Sequence, residues 1–382
     1  MINEVKIIYK KYKSALNKLK YPDSWFWGRY TINPYSGCAH ACIYCDARSD
    51  RYYLQQDFEN EVIVKVDIDK ILESKIQNAR MLLPDVVAPG GVNDAYQPIE
   101  MQEKNTLKLL KIFKKYKFPI NLATKSSLII RDISLLNEIA KHTWCTVGFS
   151  ITTTDEQMAS FLEPYSSPPK ERFKAIKVIK EKAPYIQVGT YFMPIIPYLE
   201  DNEGNLEDVI KQSKNSGADF ILFAPGLTLR DSQALFFINK VKESPYKEIL
   251  TPLLKLFKGK TYPSSDYVKN IHSILLSLCN EYNIPIRLKR WIPKDFRKWN
   301  YKISELLLNK EYMEFVETGK SNYDLKWAGL NLNNVKESII DVSKRGDLSK
   351  LPNFNSEIVE FVEPILKNSK DYTKKKGIDE FL

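Results

Sequence analysis

The alternation of short apolar runs with longer amphipathic stretches constrains the fold of this chain more than any other feature. Leu107, Leu110 and Phe113 recur every three residues in one stretch, as one face of an amphipathic helix does. Strands separated by helices form parallel sheets with right-handed crossovers. The sequence therefore predicts an α/β fold, as a doubly wound sheet or a barrel, and the lack of G-x-G-x-x-G after the first strand disfavours a dinucleotide-binding sheet. Strands are predicted near 30–33, 86–88, 119–124, 144–151, 186–192 and 220–223, and helices near 67–80, 107–116, 132–142, 173–179 and 206–215.

Three cysteines stand close together in residues 33–45, which read N-P-Y-S-G-C-A-H-A-C-I-Y-C. Cys38, Cys42 and Cys45 have the spacing C-x-x-x-C-x-x-C. Three thiolates this close can bind three irons of a [4Fe–4S] cluster, whereas a fully ligated cluster takes four cysteines. A three-cysteine site therefore leaves one iron open to a small molecule.

Structural zinc is the main alternative for this segment, because zinc also uses short cysteine spacings. His40 or Asp46 would then supply the fourth ligand. No second Cys/His pair closes such a site, so the ligand count favours the cluster. An odd total of five cysteines argues against a disulfide framework. Cys145 and Cys279 stand alone in apolar contexts and are expected to be buried packing residues.

Length and composition indicate a globular protein with one large domain and an appendage, or with two domains. Of its 382 residues, 43% are hydrophobic and 27% are charged. No apolar run approaches the ~20 residues that cross a bilayer, and the first residues lack the apolar region of a signal peptide. We therefore expect a cytoplasmic protein without a membrane partner.

The net charge of +10 lies in the flanks of the chain. Residues 1–30 carry 7 Lys/Arg against 2 acids, and residues 235–382 carry 26 against 19. This excess suggests a polyanionic partner such as DNA or RNA, although solvated basic surfaces are also common. Helical stretches punctuated by proline replace the alternation after residue 235. We expect a basic N-terminal extension (1–30), a core domain (31–234) and a basic, mainly helical C-terminal region (235–382).

Polar residues follow several of the predicted strands. Ligands of barrel folds bind at the carboxyl ends of the strands, which is where Asn93, Lys125 and Ser150 stand. Paired glycines before Asn93 let a ligand approach the backbone closely, although an Asn–Asp turn explains the same segment. Lys125 is placed to neutralise a bound carboxylate, or it is a solvated loop residue.

The cysteine segment and five further segments of the chain together resemble the radical S-adenosylmethionine (SAM) superfamily, and within it the spore photoproduct lyase-like group. The resemblance covers about residues 31–230 and implies a partial (β/α)6 barrel. In that superfamily SAM chelates the open iron, and one-electron reduction cleaves SAM to a 5′-deoxyadenosyl radical. The segments in order are N-P-Y-x-G-C-x-H-x-C-x-Y-C, N-D-A-Y-Q-P-I-E, T-K-S-x-L-I-x-R-D, F-S-I-T-T, L-E-P followed by an arginine, and P-I-I-P.

The resemblance also implies cofactors and the residues that bind them. Cys38, Cys42 and Cys45 would hold the [4Fe–4S] cluster, SAM would be the second cofactor, and a ferredoxin or flavodoxin would be the electron donor. Six further residues are assigned to the SAM site: Tyr44 near the adenine, Asn93 at the amino-acid moiety, Lys125 at its carboxylate, Ser150 at the ribose, and Glu163 and Arg172 as supports.

Two positions depart from the pattern of the lyase. A cysteine near the end of its second strand returns a hydrogen atom to the product radical, and the matching residue here is Gly91. A tyrosine directly follows its third cluster cysteine, where this chain has Asp46. Cys145 lies at the opposite end of its strand and does not substitute. We therefore expect SAM cleavage without assigning repair of a thymine photoproduct.

The substrate class rests on residues 287–302, which hold seven basic and four aromatic residues in sixteen positions. Aromatic rings can stack on bases while Lys and Arg follow phosphates. An extended connector pinned to the barrel by its aromatic residues would have the same composition. Three hypotheses follow: a radical SAM enzyme acting on DNA or RNA, one acting on a peptide or small metabolite, and a non-catalytic iron–sulfur or zinc scaffold. No acid–base pair stands out, and catalytic residues stay unassigned.

Overall fold

The computed structural model of the chain describes residues 5–53, 57–58 and 60–373. Residues 1–4 of the expected N-terminal extension and 374–382 of the expected C-terminal region lie outside the described residues. The strands are β1 (Lys6–Lys11), β2 (Asn17–Lys18), β3 (Tyr30–Ile32), β4 (Tyr35–Ser36), β5 (Glu61–Val66), β6 (Val87–Pro89), β7 (Ile120–Thr124), β8 (Cys145–Ser150), β9 (Gln187–Ile195) and β10 (Phe220–Pro225). The helices are α1 (Ile68–Gln77), α2 (Glu100–Glu103), α3 (Asn105–Lys115), α4 (Ile133–His142), α5 (Glu156–Leu162), α6 (Pro169–Lys182), α7 (Glu203–Asn215), α8 (Asp231–Lys242), α9 (Leu250–Phe257), α10 (Ser265–Glu281), α11 (Lys298–Thr318), α12 (Tyr323–Leu332), α13 (Ile339–Lys344), α14 (Ser356–Lys367) and α15 (Lys370–Thr373).

The main sheet has seven strands in the order β10-β9-β8-β7-β6-β3-β2. Neighbouring strands from β3 to β10 are parallel, and β2 pairs antiparallel with β3. Each of the six parallel strands thus lies beside the previous one in the series, as in the wall of a (β/α) barrel. The predicted α/β fold with a partial (β/α)6 core is confirmed, and the carboxyl ends of the strands lie at one edge.

A second, three-stranded sheet in the order β1-β5-β4 was not predicted. The stretch Lys6–Lys11 is mostly exposed and rich in lysine, so its sequence lacks the apolar signal of a buried strand. It pairs parallel with β5, and β5 pairs antiparallel with Tyr35–Ser36. Because β4 leads directly to Cys38, this small sheet positions the cysteine loop.

Glycines in the sheet make room for aromatic side chains. The ring of Tyr191 packs against Gly148, where an added Cβ would lie 2.0 Å from the ring. The Tyr191 hydroxyl donates to Oδ1 of Asn121 at 2.9 Å. Glycine within a strand often marks such a close approach, and here it lets one large side chain fill the space between neighbouring strands.

The chain divides into two compact units. The first comprises residues 1–19 and 25–289, and the second comprises residues 20–24 and 290–382. The unit that holds the cysteine loop runs beyond residue 234, because Phe237 of α8 and Leu253 of α9 are buried in the same core cluster as Cys42. The expected division at residue 234 stays a prediction about the core domain.

The second unit is mainly helical and has its own core. Ile303 and Leu307 of α11 pack with Ala328 of α12, and Val362 of α14 belongs to the same cluster. Of the helices in the part of the chain that the structure describes, none combines the length and apolar character needed to cross a bilayer.

Candidate active site

The cysteine loop follows β4 and folds back on itself through short turns. Gly37 and Ala41 adopt positive φ angles of 82° and 55°. Backbone N–H groups of Ala41 and Cys45 donate to the carbonyls of Cys38 at 3.1 Å and Cys42 at 3.3 Å. These turns bring the three thiols close enough to affect one another's pKa.

The three thiols are shielded from water, Cys45 less completely than Cys38 and Cys42. Burial raises the pKa of the Cys38 thiol, and Asp94 and the other two cysteines raise it further. Burial raises the pKa of Cys42 to about 12 and also raises the pKa of Cys45. Metals bind the thiolate form, and a positively charged iron centre would offset the cost of three buried thiolates. The donor set therefore fits the expected [4Fe–4S] cluster.

The two alternative zinc ligands have other partners. His40 Nδ1 lies 3.0 Å from the carbonyl of Tyr165, and its Nε2 lies 3.2 Å from Asp94 Oδ2. Asp46 accepts from the hydroxyls of Thr228 at 2.6 Å and Tyr52 at 2.8 Å. Over the described ranges, no three Cys, His, Asp or Glu side chains group as a single metal ion would require. The structure thus gives neither His40 nor Asp46 to the cysteines.

Asn93 follows β6 and presents an open acceptor beside the cysteine loop. Its Nδ2 donates to the carbonyl of Tyr35 at 2.8 Å. Its Oδ1 is buried and has no hydrogen-bond partner among the described residues. A buried amide oxygen without a donor is costly, so this atom fits a ligand N–H such as the amino group of SAM.

Asp94 joins the ends of β6 and β7. Its carboxylate accepts from Thr124 Oγ1 at 2.8 Å, Lys125 N at 2.8 Å and Tyr96 N at 2.7 Å. Burial by itself would raise the pKa of Asp94, but His40 and these amide donors lower it to about 2. The charged side chain thus fixes the backbone of Lys125 at the edge of the sheet.

Glu163 collects three of the predicted site residues around one carboxylate. Tyr44 donates its hydroxyl to Glu163 Oε1, and Arg172 forms an ion pair with Oε2. Lys125 Nζ lies 3.9 Å from the same carboxylate and 5.6 Å from the centre of the Tyr44 ring. Burial favours a raised pKa for Glu163, but Arg172 and Lys125 outweigh it and lower the pKa. We call Tyr44, Lys125, Glu163 and Arg172 the Glu163 cluster.

Arg172 connects this cluster to the end of β8. Its Nη1 donates to the carbonyl of Ser150 at 2.7 Å, and its Nε donates to the carbonyl of Ser167 at 2.7 Å. Burial would lower the pKa of Lys125, but Cys42 and Glu163 raise it. Lys125 is therefore a cation held beside the cysteine loop, where it can neutralise a bound carboxylate.

The structure brings the predicted site residues to one edge of the sheet. Ser150 meets the Glu163 cluster through Arg172, and Asn93 meets it through Asp94 and the Lys125 backbone. Their roles toward SAM stay predictions. Cys145 and Cys279 are 1% and 2% exposed, as expected of packing residues.

Sequence reasoning missed two buried residues near this site, Gln97 and Glu200. Gln97 is hydrogen-bonded to the cysteine loop. Glu200 follows β9 and is 0% exposed; Oε2 accepts from Ile196 N at 3.0 Å, while Oε1 has no hydrogen-bond partner among the described residues. Burial raises the pKa of Glu200 well above its usual value, and Glu163 adds to the shift. The available signal was an acidic residue directly after the mostly apolar run at the end of β9.

Much of the basic segment 287–302 is committed to internal contacts of the second unit. Arg290 is 5% exposed, donates to Ser304 Oγ at 2.8 Å and lies 4.0 Å from the centre of the Tyr301 ring. Arg297 is 7% exposed and pairs with Asp295 at 2.7 Å. These two arginines are engaged by neighbouring side chains, and residues 298–302 form the start of α11, so this part of the segment is not the extended connector that the sequence also allowed.

Comparisons with known proteins place the sequence among related families. The sequence profile of the Radical SAM superfamily matches residues 32–212. An uncharacterized protein of Methanocaldococcus jannaschii is 30% identical over 204 residues, which cover 53% of this chain and 73% of that protein. An uncharacterized protein of Mycobacterium tuberculosis is 26% identical over 276 residues, covering 71% of this chain and 79% of that protein.

Solved structures share the fold at low identity. Spore photoproduct lyase complexed with dinucleoside spore photoproduct matches with a TM-score of 0.54 and 16% identity, covering 72% of this chain and 79% of that one. A double mutant of the same lyase, with bound S-adenosylmethionine and dinucleoside spore photoproduct, matches with a TM-score of 0.52 and 15% identity over the same shares.

Proposed function

Because this chain belongs to the radical SAM superfamily, we propose that it uses its [4Fe–4S] cluster and SAM to abstract hydrogen from a nucleic acid. When bound, these cofactors supply the reductive cleavage of SAM and a carbon radical that abstracts hydrogen. The observation that carries the proposal is the position of the Glu163 cluster beside the loop that holds Cys38, Cys42 and Cys45. The protein contributes binding, orientation and exclusion of water.

Each predicted site residue has a task that its surroundings support. Cys38, Cys42 and Cys45 would hold the cluster. Asn93 would accept a hydrogen bond from the SAM amino group through its open Oδ1, and Lys125 would pair with the SAM carboxylate. The remaining residues would shape the nucleoside part of the site: the Tyr44 ring would lie near the adenine, Ser150 would reach the ribose, and Glu163 and Arg172 would support the site.

Two observations support a nucleic acid as the substrate. The chain carries a net charge of +10, concentrated in its flanks, and polyanions bind such surfaces through counterion release. The lyase that shares this fold was crystallised with a dinucleoside photoproduct. DNA repair by a lyase reaction is the more specific form of this proposal. In the lyase a cysteine thiol returns a hydrogen atom to the product radical, and this chain has Gly91 at the matching position.

A peptide or small metabolite is the second candidate substrate. The burial of Arg290 and Arg297 favours this second candidate. These two cations bind Ser304 and Asp295, so they are not available to bind the phosphates of a nucleic acid.

We also propose a ferredoxin or flavodoxin as the one-electron donor. The cytoplasm is the proposed location, since its reducing conditions keep the three thiols unoxidised.

The cluster assignment is tested with single cysteine variants prepared without oxygen. We expect about four irons per wild-type chain after reconstitution, as a [4Fe–4S] cluster requires, and 5′-deoxyadenosine after reduction with SAM. Cys42→Ala should lose both, whereas Cys279→Ala, a buried cysteine far along the chain, should retain both. Iron and 5′-deoxyadenosine that persist in Cys42→Ala would refute the assignment.

The substrate is tested by following deuterium in the same reaction. Reduced protein and SAM are incubated with deuterated DNA, RNA, peptide or metabolite pools, and 5′-deoxyadenosine is analysed by mass spectrometry. Deuterium transferred from nucleic acid supports the leading proposal, and transfer only from a peptide or metabolite supports the second. Absence of 5′-deoxyadenosine from verified, reduced cluster protein would favour a non-catalytic scaffold.

A further inference from the structure

Gln97 binds the two backbone groups that flank Cys38. Its side chain is completely buried. Its Nε2 donates to the carbonyl of Gly37 at 3.1 Å, and its Oε1 accepts from the N–H of Ala39 at 2.9 Å. One side-chain amide thus closes a clamp around a single cluster cysteine.

The two backbone groups of Cys38 itself are also hydrogen-bonded. Cys38 N–H donates to the carbonyl of Phe58 at 3.0 Å, and Ala41 N–H donates to the carbonyl of Cys38 at 3.1 Å. Those two bonds are between backbone atoms and do not depend on side-chain identity. The bonds to Gly37 and Ala39 depend on the side chain of Gln97, so its identity decides whether the loop is held at both sides of the cysteine.

The segment that carries Gln97 is itself held in place by Glu100. The N–H of Glu100 donates to the carbonyl of Gln97 at 2.9 Å. The carboxylate of Glu100 is buried; it accepts from the hydroxyl of Tyr35 and from Thr106 N at 2.9 Å, and it pairs with Arg131 at 2.7 Å. Because Tyr35 belongs to β4, the segment 93–100 holds both the strand and the loop that leads from it.

We propose that Gln97 is a positioning residue that sets the Cys38 thiolate for iron binding. The inference rests on the proposed assignment of the cluster to Cys38, Cys42 and Cys45. A ligand that is already fixed loses less conformational freedom when it binds metal, and loss of a partner behind a metal ligand typically costs about 10- to 100-fold in affinity. Gln97 acts on the cluster through the backbone on either side of Cys38.

Three variants distinguish the effect of the two Gln97 hydrogen bonds from the effect of the space that its side chain fills. Gln97→Met has a similar length but forms neither bond. Gln97→Glu keeps an acceptor for Ala39 N–H and loses the donor to Gly37. Gln102→Met is the matched control, because Gln102 lies on the neighbouring helix α2 and is exposed.

The first readout is the rate at which a chelator removes iron from the reconstituted, full-length protein. We expect release from Gln97→Met to be about 10- to 100-fold faster than from wild type, with Gln97→Glu between them and Gln102→Met unchanged. Equal rates in wild type and Gln97→Met would overturn the inference. A wild-type protein that takes up no iron would instead refute the proposed function.

The second readout distinguishes positioning from general loosening. Iron-free, full-length protein is alkylated, and each cysteine is quantified by mass spectrometry. We expect Gln97→Met to raise the reaction of Cys38 several-fold relative to Cys45, with Cys145 unchanged. A parallel rise at Cys38, Cys45 and Cys145 would show that the substitution only weakens the fold, and it would overturn the inference.

Discussion

Glu163 and Arg172 form an ion pair in which each side chain is only 2% exposed. Removing two charges from water is costly, and their attraction offsets the cost only while both partners are present. Arg172 also donates to the carbonyls of Ser150 and Ser167. The pair therefore ties α6 to the end of β8 and holds Glu163 in reach of Tyr44.

The Arg172→Met substitution should lower the free energy of unfolding by about 3–5 kcal/mol, because it leaves the Glu163 carboxylate buried without its main cation. Denaturant unfolding of the full-length protein measures the change. Lys170→Met is the matched control: Lys170 lies on the same helix, and its pair with Glu156 is 68% and 53% exposed. Such a pair is worth about 1 kcal/mol or less. Similar losses in both variants would contradict the buried-pair account.

The same pair predicts how stability depends on pH. Burial alone would raise the pKa of Glu163, but Arg172 and Lys125 lower it below the usual value. The stabilisation is then complete above the unfolded carboxyl pKa of about 4.3 and is lost as pH falls through the folded-state pKa. Glu163→Gln should therefore be less stable than wild type at pH 7, and the difference should shrink below about pH 4. Thermal unfolding across this range measures it; a constant difference would argue against the charge.

The ionisation of Glu200 should change stability with pH in the opposite direction from that of Glu163. Its pKa is raised by burial, so the folded state holds the proton more tightly than the unfolded state, and stability falls as pH rises above about 4.3. Glu200→Gln removes this penalty and should raise the melting temperature at pH 8, with little effect near pH 4. Glu181→Gln, at an exposed position on α6, serves as control and should show no such trend. A loss of stability at pH 8 in Glu200→Gln would mean that the buried group is ionised and partnered.

The position of the missing lyase thiol can accept a cysteine. A Cβ added to Gly91 meets Asn33 Oδ1 at 3.9 Å and Thr31 Cγ2 at 4.0 Å, which are ordinary contacts. We expect Gly91→Cys to change the free energy of unfolding by about 0.5 kcal/mol or less. Gly90→Ala is the contrasting variant, because Gly90 has a φ of +83° and its added Cβ would lie 2.7 Å from the Asn93 carbonyl. It should cost more than about 1 kcal/mol.

The same substitution tests the reaction class. If the chain abstracts hydrogen from a thymine photoproduct, Gly91→Cys should increase the yield of repaired product per 5′-deoxyadenosine, because a thiol can return the hydrogen atom. Product analysis of reactions with dinucleoside spore photoproduct measures this yield. Unchanged, undetectable repair together with normal 5′-deoxyadenosine formation would point away from this substrate.

The parts of the fold that the sequence predicted are those with a local signal. Buried strands such as Phe220–Pro225 are continuous apolar runs between turn residues, and the cysteine spacing is contained in one loop. The sequence did not predict the strand Lys6–Lys11, because its pairing with β5 depends on residues more than fifty positions away. It did not point to Gln97 and Glu200 for a related reason. Gln97 acts through hydrogen bonds to residues 58 and 60 positions earlier, and burial alone makes Glu200 unusual.

The exposed and buried residues of the basic segment 287–302 should respond differently to substitution. Lys294 is exposed and Phe296 is 41% exposed, whereas Arg290 and Arg297 are buried. If this segment binds nucleic acid, Lys294→Glu should weaken binding and reduce the slope of log affinity against log salt by about one, since each phosphate contact releases about one counterion. Phe296→Ala should weaken binding by about 1–3 kcal/mol through lost stacking on a base.

Fluorescence anisotropy with a single-stranded oligonucleotide, titrated at several salt concentrations, measures both effects. Lys350→Glu makes the same charge change at a side chain that is 77% exposed elsewhere in the second unit. Equal losses in Lys294→Glu and Lys350→Glu would show a general effect of net charge, because a true contact depends on position. Arg290→Met should instead destabilise the second unit, since it removes buried hydrogen bonds to Ser304 and Asn333. Only the combination of a position-dependent salt slope and a stacking loss at Phe296 would make this segment a nucleic-acid contact.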